Sequence, residues 1–311
     1  MSDTVILTLT ELDSGEEIIL DKCLSFRFEQ ERYTPYTTFR GEFILPRDFG
    51  NISSVALNVN GNDIHKGPVD TLKISHTADG NTVTVTSRGY TAALGQNEVQ
   101  PGVISDLSLG TLLGAEVDIP NITWEITLKS VNYLYVVSHT SVWDVAVNLC
   151  LKLGGDYPYI THPNHLRYSM PTETLLVAPY DDGNVIDFGT ELNYRNLLSE
   201  INMADTNDDP TAFSFTNNKA AALGIKREKF LSLDKRWLEC ETESLFYRSY
   251  YSMRGYNSSY VTYLGYCGED INDRLRLESG EEKRISRILV TGNKNGVTTK
   301  LWCYKDMFNN L

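Results

Sequence analysis

His162-Pro-Asn-His165 is the one place where two imidazoles sit three positions apart. A metal site uses such a pair, but Pro163 favours a loop and no third ligand stands nearby. Solvated loop histidines are the expectation. Asp205-Thr-Asn-Asp-Asp209 offers oxygens at the first, third and fifth places of a calcium-type loop. Pro210 stands where that loop needs Gly, and Thr216 where it needs a bidentate Glu. A polar surface turn is expected there instead. Paired carboxylates support glycoside hydrolysis, yet 41 acidic residues make chance pairs common and none falls in a cleft motif. There is no G-x-S-x-G elbow, phosphate-binding loop, H-E-x-x-H or strand-embedded G-x-G-x-x-G. The chain is read as a non-enzyme with no metal and no other cofactor.

The densest chemical feature is aromatic. Tyr247, Tyr250, Tyr251, Tyr256, Tyr260, Tyr263 and Tyr266 fall within twenty residues. Tyrosine joins rigid contact area to a polar tip, so it serves protein interfaces and sugar-stacking platforms as well as cores. Tyr247, Tyr250, Tyr251, Tyr256 and Tyr260 are taken as candidates for a subunit or partner interface. Core packing and a carbohydrate platform stay open as alternatives.

Charge and cysteine content narrow the partners. A net charge of −13 opposes binding of nucleic acid through its phosphates. It would suit a surface past which DNA slides without adhering. Cys23, Cys150, Cys240, Cys267 and Cys303 are odd in number and widely spaced, with no C-x-x-C, so most are expected to be buried hydrophobes. The N-terminus shows alternation instead of a signal-peptide pattern, and no apolar run approaches the roughly 20 residues needed to cross a bilayer. Synthesis in a cytoplasm without membrane insertion is expected.

The elements that must carry these residues are mostly strands. Val5, Leu7 and Leu9 alternate, as do Leu24, Phe26 and Phe28, then Phe39, Gly41, Phe43 and Leu45, then Val55, Leu57 and Val59. Asn60-Gly61 supplies a tight turn, and Gly67-Pro68 predicts a break before a strand at Leu72. Residues 1–95 read as a small β-barrel or sandwich. Residues 96–170 read as an α/β insert with a short helix over Leu107–Leu113, a strand over Asn121–Val131 and a helix over 141–153. Ser141 and Asp144 form a capping box there, and Gly154-Gly155 a stop. Residues 171–222 and 276–311 read as a second, discontinuous barrel. Residues 223–275 read as a Tyr-rich insert that begins with a charged helical stretch, Lys226 through Leu245.

Two hairpins carry a duplication reading. Leu72–Thr77 and Thr82–Thr86 flank Asp79-Gly80, while Ile285–Thr291 and Val297–Trp302 flank Asn295-Gly296. Both dipeptides suit type I′ turns. Similar β-modules over 200 residues apart predict two superposable barrels.

These stretches resemble the baseplate hub proteins of phage tails and phage-derived contractile particles, including relatives of the late control protein D. The resemblance rests on Val55–Ile74, on Val83–Leu94 with Asn97-Glu98, on the helix 141–154 after Thr140, and on the closing hairpin 285–304. Residues 223–275 match no pattern of that family, and no fused lysozyme-like or peptidase-like domain is visible. The resemblance implies a mainly β chain with two tail-tube-like barrels and small inserts. It implies a homotrimer that adapts a six-fold tail tube to a three-fold central spike. Its implied partners are the central spike protein and the tail tube or tube-initiator protein, with the tape measure protein as a further candidate. Its implied place is the baseplate of a tail particle assembled in a bacterial cytoplasm. The rival readings are a carbohydrate- or receptor-binding tail component and a peptidoglycan hydrolase.

Overall fold

The computed structural model describes residues 3–47, 49–78, 80–116, 120–127, 129–154, 157–233 and 241–305. The chain is mainly β with small inserts. Seven strands come from the N-terminal stretch: β1 (Val5–Glu11), β2 (Glu17–Leu20), β3 (Cys23–Glu31), β4 (Thr38–Ile44), β5 (Ile52–Val59), β6 (Asn62–Thr77) and β7 (Gly80–Arg88). Four come later: β8 (Val185–Leu192), β9 (Asn257–Leu264), β10 (Arg287–Asn293) and β11 (Gly296–Tyr304). They form one antiparallel sheet of eleven strands, ordered β8-β9-β11-β10-β3-β4-β7-β6-β5-β1-β2. The period-two pattern does what alternation requires. Leu7, Leu9, Phe26, Phe28, Phe39, Phe43, Val55, Leu57, Val83 and Val85 turn inward. They share a single core with Val261, Tyr263, Ile288, Val290 and Leu301 from the C-terminal strands. Phe26 lies between Gly292 and Gly41 in register. A Cβ on Gly292 would fall 2.1 Å from the Phe26 ring, so glycine is what lets that ring lie across the neighbouring strand.

The hairpins differ from expectation in two ways. First, β6/β7 and β10/β11 belong to one continuous sheet, joined through the β3–β4 pair. Their pairing therefore gives no support to two separate barrels. Second, the turns are not both type I′. Asn60 and Gly61 do take positive φ, 52° and 86°, as that type demands. In the other two hairpins the glycine is instead the first residue of the returning strand, with φ of 131° at Gly80 and 119° at Gly296.

Gly67-Pro68 does not break the chain. Strand β6 runs straight through it, pairing with β5 up to Pro68 and with β7 from Val69. The Pro68 carbonyl accepts the Ser87 hydroxyl at 2.7 Å at that exchange of neighbours. Proline lacks a ladder donor, so a change of partner is a place that tolerates it. The sheet curls there and wraps its core.

Small inserts decorate the sheet. Strands Gly102–Ser108 and Ser130–Val136 pair beside helix α1 (Leu109–Glu116) and helix α2 (Val142–Gly154). The capping box forms as read: the Ser141 hydroxyl donates to the Asp144 carboxylate at 2.7 Å, and the Asp144 amide donates to Ser141 Oγ at 3.1 Å. Residues 121–131 give only the short strand Thr123–Trp124 and the first residues of Ser130–Val136, not one long strand. Strand Glu200–Met203 pairs with Phe213–Thr216 and, in parallel, with Glu228–Leu231. Helix α3 (Glu241–Met253) packs on that small sheet through Leu245, against Ile201 and Met203. Of the helix expected from Lys226 through Leu245, residues 241–245 are helical in α3, 234–240 lie outside the described residues, and 228–231 form a strand, because Glu200–Met203 offers a sheet edge that local propensity cannot foresee. Strand β9 lies within 223–275 but belongs to the large sheet, between β8 and β11.

Candidate interaction site

Helices α2 and α3 and the small sheet line a half-open cavity of about 410 Å³. Tyr247 and Tyr251, one turn apart on α3, face it together with Tyr157, which precedes the strand Tyr159–Thr161. Tyr157 and Tyr251 stack with centroids 5.6 Å apart and planes 9° apart. Tyr33, at the end of β3, meets Tyr157 edge-on at 4.9 Å and stacks on Tyr304 of β11 at 6.3 Å. Trp143 of α2 adds an edge contact to Tyr157 at 6.1 Å. These rings join the inserts to the large sheet. Burial pushes the Tyr157 hydroxyl well above its ordinary pKa, and the nearby Tyr247 and Tyr251 hydroxyls add to the effect.

The five candidate tyrosines thus divide. Tyr247 and Tyr251 belong to the stack, with the Arg254 guanidinium 3.7 Å above the Tyr251 ring. Tyr250 packs on Phe246 at 4.2 Å. Tyr256 lies against Tyr194 at 5.6 Å, with Lys219 4.7 Å from its centroid. Tyr260 is in register with Trp302 on the outer face of the sheet, and Lys300 bridges the two rings. Each keeps part of its surface exposed. Tyr263 and Tyr266 are buried, and the Tyr263 hydroxyl donates to Glu269 at 2.6 Å.

His162 is not solvated. Its side chain is 11% exposed, set edge-on to Phe28 at 5.5 Å and beside Asp270. Asp270 accepts the His162 amide at 2.7 Å and the Gln30 side chain at 3.0 Å. The Gln30 amide also donates to Ile160 O at 2.7 Å, which pins the insert to β3. His165 is half-buried, its Nδ1 2.8 Å from Thr123 Oγ1. Asp205 forms the surface turn expected of it, accepting the amides of Asn207 and Asp209 at 2.8 and 3.1 Å. Among the described residues no group of three metal-binding side chains gathers, and no helix is long and apolar enough to cross a membrane. Cys150 and Cys303 are buried, Cys23 half-buried and Cys267 exposed, while Cys240 lies outside the described residues.

Sequence reasoning missed two buried titratable groups. His65 is fully buried between Thr37 Oγ1, 2.8 Å from Nδ1, and Ser87 Oγ, 2.9 Å from Nε2. Burial holds its pKa down at about 3, and neighbouring His162 acts in the same direction. Glu269 is fully buried and its carboxyl is pushed up to about 7 by desolvation. Period-two alternation gives no signal for it, because His65 follows the buried Ile64; the register shift between Leu57 and Asn58 opposite them puts both side chains inside.

The two edges of the sheet are open. Strand β8 pairs only with β9, and β2 only with β1, among the described residues. Ile186, Phe188 and Leu192 on β8 and Ile19 on β2 are exposed. Exposed apolar edge strands are templates for pairing with another chain.

No protein-family model matches the chain, and no curated protein matches it in sequence. Solved structures do. A 43 kDa tail protein of prophage MuSo2 from Shewanella oneidensis aligns over 97% of this chain and 98% of its own, at 15% identity and a TM-score of 0.69. A tail protein of Neisseria meningitidis aligns over 99% and 98%, at 12% identity and 0.69. A component of the type VI secretion system of E. coli, described as structurally similar to bacteriophage T4 tail proteins, aligns over 95% and 75%, at 8% identity and 0.59. The chain has the fold of phage tail proteins, shared with this type VI secretion component.

Proposed function

We propose that the chain is a baseplate hub: a homotrimer that joins a six-fold tail tube to a three-fold central spike, with no catalytic role. The observation that carries this reading is the end-to-end likeness to phage tail proteins, nearly all of both chains being matched. The open edges at β8 and β2 fit head-to-tail closure, since a ring can cover both edges of every copy. On this reading the two halves of the sheet, on either side of β3–β4, are the two tube-like units of each copy. Spike and tube proteins are then the partners, and part of the −13 charge faces the lumen. A carbohydrate-binding tail component is the weaker reading. The Tyr157 and Tyr251 rings stack on each other and Arg254 covers Tyr251, so they present no open platform to a sugar.

Self-association is the test. Native mass spectrometry of the chain with its spike protein is expected to show three copies, and a monomer in that mixture would refute the reading. Tyr256→Ala is expected to weaken the trimer by about 1–3 kcal/mol if this half-buried ring anchors the interface. Tyr251→Ala is expected instead to lower monomer stability by about 2 kcal/mol. Denaturant titration and concentration-dependent mass measurement separate the two effects.

A further inference from the structure

The cavity between α2, α3 and the small sheet is lined by residues other than those of the β8 and β2 edges. Its volume of about 410 Å³ lies within the range of ligand pockets. Its charge runs against that of the chain. Among the described residues, Lys229, Arg248 and Arg254 line it against one carboxylate, Asp144, whereas the whole sequence carries −13. Asp144 is already engaged, accepting the Ser141 hydroxyl at the start of α2. A concave site with an excess of one sign raises the local concentration of the opposite sign. Beside the cations lie apolar side chains, Leu198 and Leu231.

We propose that this cavity binds an acidic peptide segment of a partner protein. The segment's carboxylates meet the guanidinium groups of Arg248 and Arg254 and the ammonium of Lys229, a pairing that guanidinium forks suit well. Its apolar side chains rest on Leu198 and Leu231. An acidic sugar is the less favoured occupant, because the tyrosine faces it would stack on are covered by one another and by Arg254. The lining comes from α2, Tyr157, residues 196–201, Glu228–Leu231 and α3 with Arg254 just after it, so a bound segment also ties the inserts together.

The test is fluorescence anisotropy with the full chain and a labelled octapeptide alternating Glu with Leu, against the same peptide carrying Gln. The Glu peptide is expected to bind at least tenfold more tightly than the Gln peptide, and less tightly as salt is raised. Lys229 is exposed, so Lys229→Glu is expected to fold with an unchanged melting temperature and to bind the Glu peptide at least tenfold more weakly. No binding, equal binding of both peptides, or an unaffected Lys229→Glu variant would overturn the proposal. So would an oligogalacturonate that displaces the peptide at lower concentration, which would assign the cavity to acidic sugar. The hub reading stands or falls separately: a trimer that ignores the peptide loses only the cavity proposal, and a monomer that binds it loses only the hub.

Discussion

A His65→Gln chain is expected to lack the acid destabilisation that His65 itself contributes, about 5 kcal/mol as the pH falls from about 6.5 to about 3. The imidazole has no water to receive its charge and both ring nitrogens are occupied. Ser87 donates its hydroxyl proton to Pro68 O, so His65 Nε2 must donate to Ser87 Oγ and Nδ1 must accept from Thr37. Only the neutral ring fits. The folded pKa lies below the unfolded one, so the unfolded chain binds the extra proton between them. Stability is fully present above about 6.5 and is lost as the pH falls toward 3. Glu269 has the opposite sign. Its folded pKa of about 7 lies above the ordinary 4.5, so the folded chain holds the extra proton and about 3 kcal/mol disappears as the pH rises between those values. Where the two windows overlap, from about 4.5 to about 6.5, the slopes cancel. Urea titrations of the natural chain, His65→Gln and Glu269→Gln across pH 3–8 check this. An acid limb that is the same with and without His65 would show that other groups govern it.

Tyr157→Ala is expected to cost about 3–5 kcal/mol, the range for emptying a large aromatic site in a core. Tyr157 is 4% exposed and touches Tyr33 just after β3, Trp143 of α2, and Tyr247 and Tyr251 of α3. Its removal leaves a cavity where inserts and sheet meet. Trp143 emission should shift on substitution because its edge contact at 6.1 Å is lost. Hydrogen exchange should show α2 and α3 opening first, before β3, β4 and β7. A loss under 1 kcal/mol with unchanged exchange in α2 would mean that the inserts do not depend on the tyrosine stack.

Local signals in the sequence survived well. The Ser141–Asp144 capping box needs only four consecutive residues, and the inward faces of β1, β3, β4 and β5 need only a period of two. What depends on distant partners was hidden. The hairpins at 62–88 and 287–304 look alike, yet the β3–β4 pair that joins them into one sheet is set by register between remote segments. The charged run from Lys226 is helical in propensity, and Glu200–Met203 recruits it as a strand. The tyrosines of 247–260 were visible as a group, but Tyr33 and Tyr157, which pack against Tyr247 and Tyr251, are far away in sequence. His162 looked like a solvated loop residue because Asp270 and Phe28, its neighbours, lie over 100 residues from it.

The measurement that bears most directly on the hub reading is a cryo-electron microscopy map of the assembled particle with this chain identified in it. Three copies are predicted, closed into a ring between the last six-fold layer of the tube and the three-fold spike, with the β8 and β2 edges covered by neighbouring copies. Six copies in that ring, or the chain found at a fibre tip away from the tube's end, would contradict it.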